Sequence, residues 1–184
     1  MNEIPRIIHY CWFGKKPLPE SALKCIASWK RYFPNYEIRE WNEDNFDVDC
    51  IPYVSEAYKK EKYAFVSDYA RFFILYKYGG IYFDTDVEVL QPFEPILSRG
   101  GYMGCETDGG GSDKIAVAPG LGIAVKPGLG IIKEILDYYE TIHFLKSNGE
   151  IDTETVVSKT TRILKRHGLM EKSGIQKVAG ITIY

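Results

Sequence analysis

The chain has 184 residues and a net charge of −2, with 45% apolar and 26% charged residues, the balance of a globular domain with a sizeable core. That charge balance offers no basic stripe for nucleic acid as a main partner. No stretch approaches the ~18–20 apolar residues of a spanning helix, and "MNEIPRIIHYCWFG" lacks the basic segment of a signal peptide.

In chain order, "RIIHYCWF" (6–13) reads as a buried strand, and "GKKPLP" (14–19) as a loop. Residues 19–33 read as a helix, with Ala22, Leu23, Ile26, Trp29 and Phe33 at helical spacing. Pro34-Asn35 breaks it, and "YEIREW" (36–41) alternates as a second strand. Strand, helix and strand at this spacing predict a βαβ unit and a parallel sheet. An acidic loop (42–50) and a short helix near 53–61 follow. "YAFVSDYARFFILYKYGG" (63–80) is apolar nearly all round, which marks a buried helix capped by Gly79-Gly80. A strand begins in "GGIYFDTDVEVLQP". Residues 99–122 are glycine-rich and read as a loop holding a short strand or two. Helices are expected at about 128–146 and 153–167, and "VAGITIY" as a last apolar strand. With no internal repeat and no long linker, residues 1–184 read as one domain.

Cys11, Cys25, Cys50 and Cys105 form no C-x-x-C pair, so a zinc site is not expected. Reduced thiols and a cytoplasmic protein are the expectation.

Asp84 and Asp86 stand one residue apart after "GGIYF". In an extended chain, residues i and i+2 share a face, so both carboxylates can converge. Mg²⁺ and Mn²⁺ take oxygen ligands, and Mg²⁺ often uses one or two carboxylates plus substrate phosphates. A D-x-D pair alone is more often the solvated end of a strand. Its place at the C-terminal end of a strand in an open α/β sheet, where ligands bind, favours the metal. The aspartate-nucleophile phosphatase signature D-x-D-x-[TV] fits poorly, because Glu88 stands at its Thr/Val position.

Ser67, Asp68 and Arg71 share one face of the apolar helix. Either Asp68 and Arg71 form an internal ion pair, or the face opens on a polar ligand whose phosphate Arg71 neutralises. Trp12, before a glycine turn, is either a core indole or a platform for a nucleobase. His9 has no ligand spacing. His143 and His167 read as surface residues. "GCETDGGGSD" places Glu106, Asp108 and Asp113 among glycines without a phosphate-loop order.

The ordered set "IPRIIHYCWFG", "CIASWKRYFPNYEIREWNEDNFD" and "YAFVSDYARFFILYKYGGIYFDTDVEVLQPFE" resembles the DXD-containing sugar transferases of bacterial capsular and lipopolysaccharide synthesis. These are related to the yeast initiating mannosyltransferases and, more distantly, to the glucosyltransferase domain of the large clostridial toxins. The resemblance covers residues 4–97 and continues more loosely to about 170. It implies a GT-A fold, a Rossmann-like mixed sheet flanked by helices. Residues 1–97 would be the nucleotide-sugar half and 98–184 the acceptor-side half. It implies transfer from a nucleotide sugar, preferably a UDP-sugar, with retention at the anomeric carbon. The acceptor would be a glycan or lipid-linked glycan, with peripheral membrane contact.

The resemblance also assigns roles. Trp12 would stack on the base, and Ser67 and Asp68 would contact ribose or sugar. Arg71 would touch diphosphate or sugar. Tyr82 would reach the diphosphate. Asp84 would bind hydroxyls and the metal, Mn²⁺ or Mg²⁺, which Asp86 would ligate directly. Arg71 and Asp68 are the expected catalytic pair. Glu106 or Asp108 is the expected base if the enzyme inverts instead. Related enzymes complete the metal sphere near the C-terminus, and "ITIY" supplies no such ligand. A truncated form, or a sphere completed otherwise, is therefore expected.

Overall fold

The computed structural model describes residues 3–110 and 114–184. It opens with β1 (Ile7–Cys11), α1 (Glu20–Tyr32) and β2 (Glu37–Trp41), the expected βαβ unit. β1 and β2 run parallel, with Ile7 opposite Glu37 and Cys11 opposite Trp41. α2 (Pro52–Lys59) and α3 (Tyr63–Tyr78) lead to β3 (Gly80–Tyr82), which pairs parallel to the other edge of β1. Next come α4 (Glu94–Leu97), β4 (Tyr102–Met103), β5 (Cys105–Thr107), β6 (Ala116–Val117), a 3₁₀ turn at Pro119–Leu121, and β7 (Ile123–Val125). α5 (Gly130–Glu140), α6 (Val156–Arg166), β8 (Gln176–Val178) and β9 (Ile181–Ile183) follow.

The main sheet has seven strands in the order β2-β1-β3-β7-β4-β9-β8, while β5 and β6 form a separate pair. The sheet is mixed: β3–β7, β7–β4 and β9–β8 are antiparallel and β4–β9 is parallel. Strands from both sides of residue 97 therefore share one sheet. Successive strand residues point to opposite faces, and each face has its own core. Ile8, Tyr10, Ile81 and Phe83 pack with Ile26, Trp29 and Phe33 of the α1 layer. Cys11, Tyr82, Ile123 and Val125 pack with α2, α3, α5 and α6.

Three local expectations change. Leu23 is 52% exposed, and Cys25 takes its place in the α1 stripe. The helix expected to run to residue 146 stops at Glu140, where the Thr141 hydroxyl donates back to the Tyr138 carbonyl. "VAGITIY" is a hairpin rather than one strand. Ala179 (φ 48°) and Gly180 (φ 85°) both adopt positive φ between β8 and β9, the requirement of a tight two-residue hairpin turn.

Gly79 caps α3 at φ 63°, and Gly80 enters β3 at φ 100° against the Ile7 carbonyl. All four cysteines are free. Among the described residues, no helix is long and apolar enough to cross a membrane.

Candidate nucleotide-sugar site

β2 and β3 flank β1 on opposite sides, so the strand order reverses at the carboxyl end of β1, where ligands bind in open α/β sheets. A cleft of about 420 Å³ opens there. Trp12 comes to it from the end of β1, Ser67 and Arg71 from α3, and Asp84 and Asp86 from the segment after β3. Tyr63 and Lys16 line it as well, and sequence reasoning passed over both. Their place is set by the fold: a Cβ on Gly14 would come within 2.4 Å of the Tyr63 ring, a closeness with no local sign in the sequence.

Trp12 is half-buried, and its indole N–H donates to the Lys16 carbonyl at 2.6 Å, which fixes the ring. The loop is tied down from below: the Gly14 N–H and the Tyr58 hydroxyl both donate to Glu43, at 2.6 and 3.0 Å. Glu43 loses some solvation there, yet those hydrogen bonds, the Gly14 one foremost, hold its carboxyl below the usual range.

Arg71 is 3% exposed and fully oriented. Its Nε donates to the Ser67 carbonyl at 3.1 Å, and its Nη2 lies 3.0 Å from Asp68 and 3.2 Å from Asp84. Its guanidinium sits 5.0 Å from the centre of the Tyr82 ring. Both readings of this helix face hold at once, since Arg71 pairs with Asp68 and also lines the cleft. Asp68 itself does not line it. At 8% exposed, it lies behind Arg71, because a shared helix face is wide enough to hold one side chain toward the opening and another toward protein. Tyr82 is also fully buried and outside the lining, and its hydroxyl donates to Asp84 at 3.0 Å.

The two aspartates are not on an extended strand. β3 ends at Tyr82, and the Val87 N–H donates to the Asp84 carbonyl at 3.1 Å, so Asp84–Val87 is a turn. Strand alternation is therefore not what makes them converge. The turn itself brings both to one cleft, with Asp86 exposed and Asp84 held by Arg71 and Tyr82. The turn is anchored across the sheet, where the Trp29 indole donates to the Val87 carbonyl (2.8 Å) and the Val89 N–H donates to the Ser28 hydroxyl (2.9 Å).

Residues 19–101 match the family profile described as a glycosyltransferase sugar-binding region containing the DXD motif. Asp84-Thr85-Asp86 lies within it. Inositol phosphoceramide mannosyltransferase 1 of Schizosaccharomyces pombe is 30% identical over 132 residues, which are 65% of this chain and 40% of that protein. Inositol phosphoceramide mannosyltransferase 3 of the same yeast is 35% identical over 98 residues, 51% of this chain and 27% of its own length. Residues 19–101 thus resemble the DXD-containing sugar-binding region of glycosyltransferases. The solved PaToxG glycosyltransferase superposes with a TM-score of 0.63 at 21% identity, over 90% of this chain and 70% of its own. The mixed sheet with helices on both faces is the GT-A fold. The resemblance read from the sequence is borne out, although the chain spans less than half the length of these yeast relatives.

The electrostatics of this cleft centre on one cation among carboxylates. Burial opposes the Arg71 charge, but Asp84, Tyr82 and Asp68 outweigh it and raise Arg71 further. Burial also pushes the Asp68 carboxyl up to about 6, against the pull of Arg71. The two shifts disagree about the pair. The guanidinium charge is the secure one, because Arg71 contacts a second carboxylate in Asp84, while Asp68 contacts Arg71 and feels Lys159 only from farther off. Burial holds the Tyr82 phenol protonated, so it remains a donor to Asp84. Burial likewise raises the Cys11 thiol in the cleft lining to about 12, which makes it inert.

As metal ligands, Asp84 and Asp86 are a hard oxygen pair, and no group of three or more His, Cys, Asp or Glu side chains gathers among the described residues. This donor set fits Mg²⁺ or Mn²⁺ only as a cation that shares its sphere with substrate phosphates and water. Glu106 and Asp108 lie outside the cleft lining, and Asp113 falls outside the described residues. His9 is no ligand. Trp41 Nε1–H donates to its Nδ1 at 3.1 Å, so the proton sits on Nε2 and reaches the Gly79 carbonyl at 2.9 Å. His143 and His167 are exposed and pair with Glu56 and Glu134.

Proposed function

We propose that this cleft binds a nucleotide-diphosphate sugar and transfers its sugar, with retention, to a hydroxyl of a glycan or lipid-linked glycan. The observation that carries this reading is the convergence of Trp12, Ser67, Arg71, Asp84 and Asp86 from three separated segments on one opening. Trp12 offers a half-buried indole of fixed orientation at the cleft, on which a nucleobase stacks. Arg71 meets the diphosphate, where negative charge grows as the sugar leaves, and its held geometry means little reorganisation at that moment. Ser67 and Asp84 contact hydroxyls of ribose or sugar. Asp68 and Tyr82 act from behind, by aiming Arg71 and Asp84.

Asp86, with Asp84, would hold Mn²⁺ or Mg²⁺, which supplies Lewis-acid stabilisation of the departing diphosphate. Among the described residues, no carboxylate other than these two lines the cleft as a base, which suits retention with the leaving phosphate taking the acceptor proton. The names of the yeast relatives favour a mannosyl donor and an inositol phosphoceramide-like acceptor over the UDP-sugar and capsular or lipopolysaccharide acceptor expected first. The proposal extends to a cytoplasmic protein that meets its acceptor at a membrane surface.

Calorimetric titration with UDP- and GDP-sugars, with and without Mn²⁺, tests the reading. Binding of at least one donor is expected, strengthened by Mn²⁺, and Asp86→Ala removes the Mn²⁺-dependent part while leaving the fold intact. No binding under any condition sinks the proposal, and binding without donor hydrolysis or transfer reduces the protein to a nucleotide-sugar binder.

A further inference from the structure

The 3₁₀ turn at Pro119–Leu121 lies outside the matched family region and directly against Asp84. The Asp84 N–H donates to the Gly120 carbonyl at 3.1 Å. A Cβ on Gly120 would stand 2.0 Å from Asp84 Oδ2, 3.1 Å from its Cγ and 3.3 Å from Arg71 Nη1. Contacts under 3.0 Å are essentially never made by a real Cβ. Gly120 is not among the residues with positive φ, so its backbone does not require glycine. What requires glycine there is space.

The Asp84 carboxylate is thus held at both oxygens and stays open toward the cleft, its side chain 35% exposed. Tyr82 and Arg71 hold Oδ1, and the bare Cα of Gly120 is the wall against Oδ2. The turn is itself fixed to the sheet margin, with Ala118 N–H on the Gly104 carbonyl at 2.9 Å and Pro119 buried.

We propose that Gly120 is a positioning residue for this cleft: its missing side chain is the seat of the Asp84 carboxylate and keeps that carboxylate on Arg71. Any larger residue drives Asp84 off the guanidinium and into the opening. The steric part of this proposal stands on geometry alone, and its effect on ligand affinity rests on the nucleotide-sugar reading of the cleft.

A thermal-unfolding cycle of Gly120→Ala, Asp84→Ala and the double variant decides the seat. Gly120→Ala is expected to lower Tm by about 3–6 °C. In the Asp84→Ala background the clashing carboxylate is gone, and the same change is expected to shift Tm by less than about 1 °C. Equal drops in both backgrounds overturn the proposal. The second readout is calorimetric affinity for the best-bound nucleotide sugar with Mn²⁺, at a temperature where Gly120→Ala is folded. A loss of about ten-fold or more is expected, and unchanged affinity overturns the positioning role. Wild type that binds no nucleotide sugar removes the functional reading, while the unfolding cycle still decides whether Gly120 seats Asp84.

Discussion

On the α1 side of the sheet, Trp29, Phe33, Phe83 and Phe93 form a continuous aromatic cluster with ring centroids 5.5 to 6.2 Å apart. On the α3 side, the charged or ionisable groups His9, Asp68, Arg71 and Lys159 are buried. Among the described residues, unpartnered tyrosine hydroxyls occur on both faces, Tyr53 and Tyr139 here and Tyr102 and Tyr184 on the α1 side. The two faces use the same strands for different ends. Apolar burial on the first face supplies stability at little polar cost. The second face gives up part of that gain to hold charged groups out of water, and those groups lead to the cleft. The site is therefore built from the less economical core of the two.

Four measurements break or sharpen this contrast. Phe33→Ala should cost about 3–5 kcal/mol in denaturant unfolding through the cavity it leaves, while nucleotide-sugar affinity of the folded fraction stays as in wild type. An affinity loss as large as the stability loss would erase the distinction between the faces. Arg71→Ala should cost about 3–5 kcal/mol at neutral pH by stranding buried Asp68, and should also remove donor binding. Its stability deficit should shrink near pH 5, where Asp68 takes a proton. A deficit independent of pH would show that the pair is not the cause.

The third test concerns His9. Burial lowers it from 6.5 to about 4, against the Gly79 carbonyl that favours its proton. The unfolded chain therefore binds a proton that the folded chain refuses. Its contribution is complete above pH 6.5 and is lost as pH falls, by about 2 kcal/mol at pH 5 and about 3 at pH 4. Asp68 has the opposite sign: its carboxyl is raised to about 6, so its contribution improves as pH falls through 6. The difference between wild type and His9→Gln isolates the histidine, and parallel pH profiles would contradict the shift. Smallest of the four, Trp12→Ala should weaken donor binding by ~1–3 kcal/mol, the worth of a base–aromatic stack, with little change in unfolding. A collapse of the fold would return Trp12 to the core.

Much of this was legible in the sequence because it is local. The α1 stripe, the apolar α3 and its glycine cap follow from spacing, and S-D-x-x-R followed by D-x-D marks the cleft. What escaped is set by contacts between distant segments. Helical spacing puts Asp68 beside Ser67 and Arg71, but only the packing of α5 and α6 decides that Asp68 faces protein. The turn at Asp84–Val87 depends on Trp29 and Ser28, more than fifty residues earlier. Gly120 in "APGLG" carries no local sign that a carboxylate thirty-six residues before it needs the room. Ala179 is a residue type that rarely takes the left-handed conformation, so the last hairpin looked like one strand.

The tether from Trp29 and Ser28 to Val87 and Val89 has a consequence for binding. A ligand-recognition loop commonly orders when its ligand arrives, and the lost conformational freedom is subtracted from affinity. Here the residues that follow Asp86 are already pinned by α1, from the opposite face of the sheet. The entropy of fixing the second aspartate is spent during folding, so a cation and diphosphate meet a carboxylate whose backbone is already in place.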